Sequence, residues 1–276
     1  MTSAPATTYP QTGIASWTSR ANQTDWLPGL EPASDDLALG QLSRGDLAVP
    51  ASGLPKARSV LAVTARPGVE SEALGGLLYA FGKAGARLSL LCLTRGEASV
   101  FNSTNAPLEA VRPSELQLAS WLLGISSVAL ADYPDGELRN CPMPDLRGRI
   151  QRAIAEYTPD LILVLDPAGD PDDAQIAEAV CLAAGPAGVP VAARTVPSAS
   201  ASWLVELGPE TDAARDVQRA AARAHASQSE TLPQVLASLD SLTGREQLRW
   251  LAPAAIRPPA PRAAPPAPRV LEPCLS

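Results

Sequence analysis

Apolar residues recur along the middle of the chain in two alternating patterns. Short continuous apolar runs predict buried strands, and apolar residues spaced three or four positions apart predict amphipathic helices. The clearest run is 160–165 (DLILVL), and the clearest helical stripe comprises Leu74, Leu77, Leu78 and Phe81. The predicted strands are Ser59–Thr64, Arg87–Thr94, 127–131, 160–165 and 203–207, and the predicted helices are 70–84, 113–123, 146–157, 176–184 and 214–224. Pro113 is expected in the first turn of the second helix.

This alternation predicts an α/β fold, with a mainly parallel, Rossmann-like sheet and helices on both of its faces. We assign residues 57–252 to this domain. Residues 1–56 form an N-terminal arm that is expected to be partly irregular, because its prolines prevent long elements. Residues 253–276 form a tail rich in proline, alanine and arginine, expected to be disordered and polyproline-like. The alternative for this tail is docking to an SH3-type partner.

Composition narrows the classes of partner. A net charge of −7 and a pI near 4.9 argue against nucleic acid or an anionic membrane as the main partner. No apolar run is long enough to span a bilayer or resembles a signal peptide, so a cytoplasmic protein is expected. The four cysteines show no C-x-x-C spacing, and Cys92 and Cys181 are predicted to be buried free thiols, which fits a reducing compartment.

A ligand site is expected beyond the carboxyl ends of the parallel strands, where such sheets bind their ligands. Four segments qualify: 65–70, 95–99, 132–137 and 166–173. The first of these turns is not G-x-G-x-x-G, and neither G-x-x-x-x-G-K-[ST] nor G-x-S-x-G occurs in the chain. A dinucleotide fold of the reductase type, a P-loop and a nucleophile elbow are therefore disfavoured.

Several segments, in matching order along the chain, resemble the LmbE/PIG-L zinc de-N-acetylases. The first, SVLAVTARPGVESEALGG at 59–76, is similar to a strand that ends in A-H-P-D-D-E. The others are LTRGEAS (93–99), RPSELQLASWLLGI with DYPDGEL (112–125, 132–138), DPAGDPDDAQ (166–175) and RAAARAHASQS (219–229). They are similar to L-T-x-G-E-A-S, R-x-x-E-L-x-x-A-x-x-L-G with P-D-G, G-x-x-H-P-D-H, and K-x-x-A-x-x-x-H-x-S-Q. The resemblance implies the same α/β fold and N-acetylglucosaminyl deacetylase chemistry with zinc.

The departures from this resemblance fall on the residues that the chemistry needs. The family's ligand His falls at Arg66, its general-base Asp at Gly68 and its ligand Asp at Val69. Its two later histidines fall at Asp170 and Asp173. A guanidinium at a zinc position would repel the ion by on the order of several kcal/mol at an effective dielectric near 20. We therefore expect no metal ligands and no cofactor, although zinc is the cofactor that the family implies.

No residue is a confident catalytic group. The catalytic candidates are Glu70, Asp170, Asp173 and His225, and the substrate or pocket candidates are Arg66, Glu97, Arg112, Asp135 and Asp172. Most of them also have a structural interpretation: Arg66 could pair with a carboxylate, Arg112 with Glu115 one turn along its helix, and His225 could be packed or at the surface. Glu70 and Glu97 could be helix-dipole partners. The acidic run at 170–173 could bind Ca²⁺ or Mg²⁺, or form a solvated turn or helix N-cap.

For the vacated zinc position we expect Arg66 to contact Asp170 or Asp173 at about 2.7–3.2 Å. The first functional hypothesis is an inactive deacetylase homologue that binds a sugar-like small molecule or a protein partner. The second is an enzyme of the same family with altered, metal-independent chemistry on a sugar-like substrate, using Glu70, Asp170, Asp173 or His225. The third is residual zinc-dependent amide hydrolysis through rearranged ligands.

Overall fold

The structure, a computed structural model, describes residues 51–195, 203–242 and 244–252. The predictions for most of the N-terminal arm, for the proline-rich tail and for Cys274 fall outside these residues. Within them, no helix combines the length and hydrophobicity needed to cross a membrane.

One mixed sheet of eight strands organises the described residues, in the order β1-β7-β8-β6-β5-β2-β3-β4. The strands are β1 (Ala51–Ser52), β2 (Ser59–Thr64), β3 (Arg87–Thr94), β4 (Ser127–Tyr133), β5 (Leu161–Leu165), β6 (Val191–Thr195), β7 (Trp203–Glu206) and β8 (Arg245–Ala252). Strand β8 runs antiparallel to its neighbours β6 and β7, and every other pair is parallel.

Helices cover both faces of the sheet, because alternate strand residues point to opposite sides. The helices are α1 (Val69–Glu72), α2 (Gly75–Lys83), α3 (Leu108–Leu122), α4 (Met143–Tyr157), α5 (Pro171–Ala184), α6 (Thr211–Ala224) and α7 (Leu232–Ser241). Val60 and Ala62 pack with α2, α3 and α6, whereas Leu61 and Val63 pack with α4 and α5. The predicted fold class, a mainly parallel α/β sheet with helices on both faces, is confirmed.

The predicted helix 70–84 is wrong in its continuity, since α1 ends at Glu72 and α2 begins at Gly75. Gln218 of α6 explains the break: its Nε2 donates to the carbonyl oxygens of Ser71 (2.9 Å) and Glu72 (3.1 Å). A side chain from α6 thus satisfies carbonyls that a continuous helix would have used for its own hydrogen bonds.

The predicted position of Pro113 in the first helical turn is also wrong. Helix α3 begins at Leu108, so Pro113 lies inside it. A proline there removes one backbone hydrogen bond, and the helix continues through it as part of the packed core. The earlier start places Arg112 within the helix, where its side chain is buried.

Strands β1, β6 and β8 and helix α7 were not predicted. Strand β8 (REQLRWLA) carries charges on both faces, and these find partners only in the folded protein: Glu246 pairs with Arg194 and Arg215, and Arg249 with Asp166. Among the predicted free thiols, Cys92 is buried, whereas Cys181 is only partly buried.

Candidate functional site at the carboxyl edge of the sheet

Four loops and the end of one helix meet at the carboxyl edge of the sheet. The loops follow β2, β3, β4 and β5, as the sequence predicted. Helix α6 ends at Ala224, and the short 3-10 turn Ala226–Gln228 brings His225, Ser227 and Gln228 against the same edge. His225 itself caps α6 instead of lying inside the helix.

Glu70 and His225 form a buried pair between α1 and the end of α6. His225 Nε2 lies 2.7 Å from Glu70 Oε1, and the two side chains are 3% and 0% exposed. Gly68 N (2.9 Å) and Ser71 Oγ (2.7 Å) also donate to the Glu70 carboxylate. Two catalytic candidates are thus brought together, and the surface interpretation of His225 is wrong.

The charges of this pair stabilise each other against burial. Burial alone would raise the pKa of Glu70, but the neighbouring His225 brings it below its ordinary value. Burial would likewise lower the pKa of His225, but Glu70 raises it. These opposite shifts favour a carboxylate–imidazolium ion pair. Among the described residues, Nδ1 of His225 has no hydrogen-bond partner.

Arg112 joins the loops that follow β2 and β3. Its Nη1 donates to the carbonyl of Gly96 (2.6 Å) and its Nη2 to that of Pro67 (2.5 Å), and the side chain is 3% exposed. A β-carbon at Gly96 would overlap Nη1, so only glycine allows this approach. Arg112 therefore does not pair with Glu115, as one interpretation had it, because Glu115 binds Ser227 instead.

Glu115, Ser227 and Gln228 form a second contact between helices and loops, which was not predicted as part of the site. The Glu115 carboxylate accepts hydrogen bonds from the backbone N and the Oγ of Ser227, both at 2.7 Å. Gln228 accepts from Ser99 Oγ (2.7 Å) and donates to the carbonyl of Phe101 (3.0 Å). The signal that could have found them is the H-x-S-Q segment, which the resemblance had already singled out.

Asp135 and Glu97 anchor the loops after β3 and β4 to each other. Thr94 Oγ1 donates to Asp135 Oδ1 (3.0 Å), and Ala98 N donates to Asp135 Oδ2 (3.2 Å). In return Asp135 N donates to Glu97 Oε1 (2.9 Å). Asp135 is buried and shapes the wall of the edge, whereas the Glu97 side chain is exposed.

The acidic run after β5 begins helix α5. Asp170 is its N-cap and accepts a hydrogen bond from Asp172 N at 2.8 Å. Of the two structural interpretations of this run, the helix N-cap is therefore the one that the structure contains. Asp172 is 2% exposed; its Oδ1 accepts from Leu138 N (3.1 Å), and its Oδ2 has no partner among the described residues. Burial, then the charge of Asp170, raises the pKa of Asp173 to about 7.

Arg66 faces this acidic run, at a longer distance than expected. Its Nη1 lies 3.8 Å from Asp170 Oδ2, so the two form an ion pair without the predicted contact of about 2.7–3.2 Å. The two side chains are 40% and 34% exposed. Because both side chains remain partly hydrated, a short hydrogen bond between them is not required to offset desolvation.

The side chains at this edge do not fit the zinc that the resemblance implies. Over the described ranges, no group of three or more His, Cys, Asp or Glu side chains is arranged to hold a metal ion. The single histidine is bound to Glu70, and the thiol of Cys92 lies near backbone carbonyls. Zinc prefers four ligands of nitrogen, sulfur or oxygen. After β2, Arg66 and Val69 stand at the positions where the A-H-P-D-D-E motif has two of these ligands.

Comparison with known proteins identifies the relatives of this domain. The family model PIG-L, GlcNAc-PI de-N-acetylase, matches residues 61–184. The probable N-acetyl-alpha-D-glucosaminyl L-malate deacetylase 2 of Bacillus anthracis is 33% identical over 130 residues. That match covers 45% of this chain and 58% of the relative, so it spans little more than half of the relative's length.

Solved structures share the fold at low identity. The N,N'-diacetylchitobiose deacetylase of Pyrococcus horikoshii is 17% identical with a TM-score of 0.54, over 75% of this chain and 88% of its own. A conserved protein of Thermus thermophilus is 23% identical with a TM-score of 0.57, over 74% of this chain and 99% of its own. The 4-carboxy-2-hydroxymuconate hydratase of Pseudomonas putida is 18% identical with a TM-score of 0.56, over 79% and 100%. The predicted resemblance is confirmed: residues 61–184 are a PIG-L (LmbE-like) segment, in the fold of the LmbE/PIG-L deacetylases.

Proposed function

We propose that this protein is a deacetylase homologue that binds a sugar-like, hydroxyl-rich ligand at the carboxyl edge of its sheet and does not perform zinc-dependent deacetylation. The observation that carries this proposal is the loop after β2, where Arg66, Gly68 and Val69 replace the metal- and proton-handling residues of the family motif. Zinc chemistry needs both a ligand set and a base to take up the proton of the attacking water. Neither Gly68 nor Val69 can supply them.

The backbone of this loop supports the same conclusion. Gly68 adopts a φ of +101°, a conformation that side-chain-bearing residues rarely adopt. Its N–H donates to Glu70, and the carbonyl before it accepts from Arg112, so the conformation is held from both sides. An aspartate at this position would therefore carry backbone strain in addition to lacking a metal.

The exposed side chains at the edge favour a ligand rich in hydroxyl groups. Arg66 and Asp170 are about one-third to two-fifths exposed, and Glu97 is exposed as well. A guanidinium donates and carboxylates accept hydrogen bonds, a combination that suits the two roles of a hydroxyl group.

The free thiols Cys92, Cys141 and Cys181 support a reducing compartment such as the cytoplasm.

A second candidate function is metal-independent acid–base catalysis, which one observation favours. Asp173 has a pKa raised to about 7, close to the value at which a carboxyl group transfers protons efficiently at neutral pH. The Glu70–His225 pair is less suited to this role, because both side chains are shielded from solvent. Turnover of a sugar amide that survives chelation and is lost in Asp173→Asn would support this candidate over the binding protein.

The test measures zinc content, acetate release and ligand binding on the same preparation. We expect substoichiometric zinc by plasma mass spectrometry, and no acetate above background from N-acetylglucosaminyl L-malate or N,N'-diacetylchitobiose, with a zinc-dependent deacetylase as positive control. Calorimetry with a panel of sugars should find a ligand whose affinity falls at least about tenfold, or 1.4 kcal/mol, in Asp170→Asn but not in Glu109→Gln, an exposed carboxylate on α3. One equivalent of zinc with chelator-sensitive turnover would overturn the proposal.

A further inference from the structure

Val100 is the most exposed large apolar side chain in the described part of the chain, with 88% of its surface open to solvent. It lies in the loop between β3 and α3, one of the loops that meet at the carboxyl edge of the sheet. The other exposed large apolar side chains lie on helices: Leu118 and Trp121 on α3, and Leu182 on α5. Isolated apolar residues are common on protein surfaces, but Val100 differs in how its loop is held.

The side chain of Gln228 holds both chain neighbours of Val100. Ser99 Oγ donates to Gln228 Oε1 (2.7 Å), and Gln228 Nε2 donates to the carbonyl oxygen of Phe101 (3.0 Å). Phe101 N in turn donates to Ser99 Oγ (3.3 Å). Because both neighbours are fixed in this way, Val100 cannot turn inward and bury its side chain without breaking hydrogen bonds. The fold therefore presents an apolar side chain to solvent at a defined place.

Val100 is close to the polar groups that are proposed to bind the ligand. Glu97, whose side chain is exposed, precedes it by three residues, and three residues span at most about 11 Å. The segment between them is anchored to the wall of the site, because Ala98 N donates to Asp135 Oδ2 (3.2 Å). A ligand whose hydroxyl groups contact Glu97 can therefore reach Val100 with a neighbouring group.

Taking the sugar-like ligand from the proposed function, we infer that this ligand carries an apolar group that packs on Val100, so that the protein binds a glycoside with an apolar aglycone. Removing apolar surface from water on both sides of this contact favours binding in proportion to the area buried. A short alkyl chain or an aromatic ring suits the contact, because neither needs a hydrogen-bond partner there. The hydroxyl groups bind at Arg66, Glu97 and Asp170, and the apolar group fixes the orientation of the sugar relative to them.

The experiment measures the binding of methyl and hexyl glycosides to the full chain by calorimetry. The sugars are glucose, glucosamine and N-acetylglucosamine, each in both anomers, and the readout is the ratio of hexyl to methyl affinity for the same sugar. We expect the hexyl glycoside of at least one sugar to bind the wild type at least about tenfold more tightly than its methyl counterpart, a difference of about 1.4 kcal/mol.

Matched variants assign this preference to Val100. Val100→Ser should lower the ratio at least about threefold, because it removes apolar surface at an exposed position where the fold does not depend on it. Val100→Leu keeps the apolar surface and should keep the ratio. Leu118→Ser is the control, because it removes an exposed leucine from α3, and it should leave the ratio unchanged.

Equal affinities of the hexyl and methyl glycosides, with binding that Asp170→Asn weakens, would contradict this inference and leave the proposed function standing. A hexyl preference that Val100→Ser and Leu118→Ser change alike would also contradict it, since the alkyl chain would then bind elsewhere. A preference that depends on Val100 and not on Asp170 would support the apolar contact and contradict the proposed function in its placement of the sugar. If no glycoside binds, both the inference and the proposed function fail.

Discussion

Glu70 and His225 are 155 positions apart in the chain, and their side chains meet with Oε1 2.7 Å from Nε2. The contact ties α1, directly after the first central strand, to the end of α6. Both side chains are shielded from solvent, so each depends on the other to offset the cost of burying a charge. The pair holds the loop after β2 in place, because Gly68 N donates to the same carboxylate.

Removal of one partner of this pair should destabilise the protein strongly. Glu70→Gln or His225→Gln leaves the other group buried without its countercharge, which costs about 3–5 kcal/mol. Chemical denaturation measured near pH 6 would give the free energy of unfolding of each variant. The double variant should lose less than the sum of the two single losses, because the groups interact directly. Additive losses would show that the two side chains contribute independently.

The stability contributed by this pair should depend on pH in a bell-shaped manner. The folded pKa of Glu70 lies below its ordinary 4.5, so its contribution is complete above about 4.5 and is lost as pH falls through the lowered value. The folded pKa of His225 lies above its ordinary 6.5, so its contribution is complete below about 6.5 and is lost as pH rises through the raised value. The difference in unfolding free energy between the wild type and the double variant Glu70→Gln/His225→Gln should therefore be largest between about pH 4.5 and 6.5. A flat difference from pH 4 to pH 9 would contradict the paired ionisation.

Asp173→Asn should stabilise the protein at pH 8. The pKa of Asp173 is raised from 3.8 to about 7, so its ionised form is disfavoured in the fold and stability declines as pH rises from about 4 through 7. At pH 8 the free energy of unfolding of the variant should exceed that of the wild type by about 1–3 kcal/mol, a range that allows for the partial exposure of the side chain. This difference should shrink toward zero below pH 4. Denaturation at both pH values gives the comparison, and Asp132→Asn, an exposed position at the end of β4, is the control. A variant less stable than the wild type at pH 8 would show that the Asp173 charge is favourable.

Gly96→Ala should be far more damaging than Gly136→Ala, although both glycines have similar positive φ values of 71° and 76°. At Gly96 the new β-carbon would overlap Arg112 Nη1, whereas at Gly136 nothing lies within 4 Å. Gly136→Ala should cost about 1 kcal/mol of backbone strain. Gly96→Ala should cost at least about 3 kcal/mol, because it also displaces a buried guanidinium from two carbonyls. Equal losses in unfolding free energy would mean that Arg112 moves aside without cost.

Ser227→Ala should weaken the contact between α3 and the turn after α6. Glu115 is 7% exposed and accepts two hydrogen bonds at 2.7 Å from Ser227, one of which is from the hydroxyl. Loss of one bond to a buried carboxylate should cost about 1.5–3 kcal/mol. Ser229→Ala, two residues further along the same turn, is the matched control and should change stability by less than about 0.5 kcal/mol. Thermal unfolding followed by circular dichroism would rank the two variants.

The sequence by itself determined the central strands and the resemblance of residues 61–184 to the PIG-L family. The bounds of β2 and β3 agree with the predicted Ser59–Thr64 and Arg87–Thr94, because strands covered on both faces are continuous apolar runs that need no partner to be recognised. The segments that resemble the deacetylases lie in order along the chain, so the resemblance could be read from the sequence as well. The replacements at Arg66, Gly68 and Val69 were visible in the same way.

Only the tertiary structure decided the partners of the charged residues. The break between α1 and α2 depends on Gln218, and β8 gained its charge partners from the loop after β5, from β6 and from α6. Arg66 Nη1 lies 3.8 Å from Asp170 Oδ2 and not at the shorter distance of a hydrogen bond, because both side chains remain partly hydrated. Local sequence patterns predict which residues are buried, whereas packing between distant segments determines the partner of a buried charge. The sequence therefore determined the central strands and the family resemblance, and the fold in three dimensions decided how the charges at the edge are satisfied.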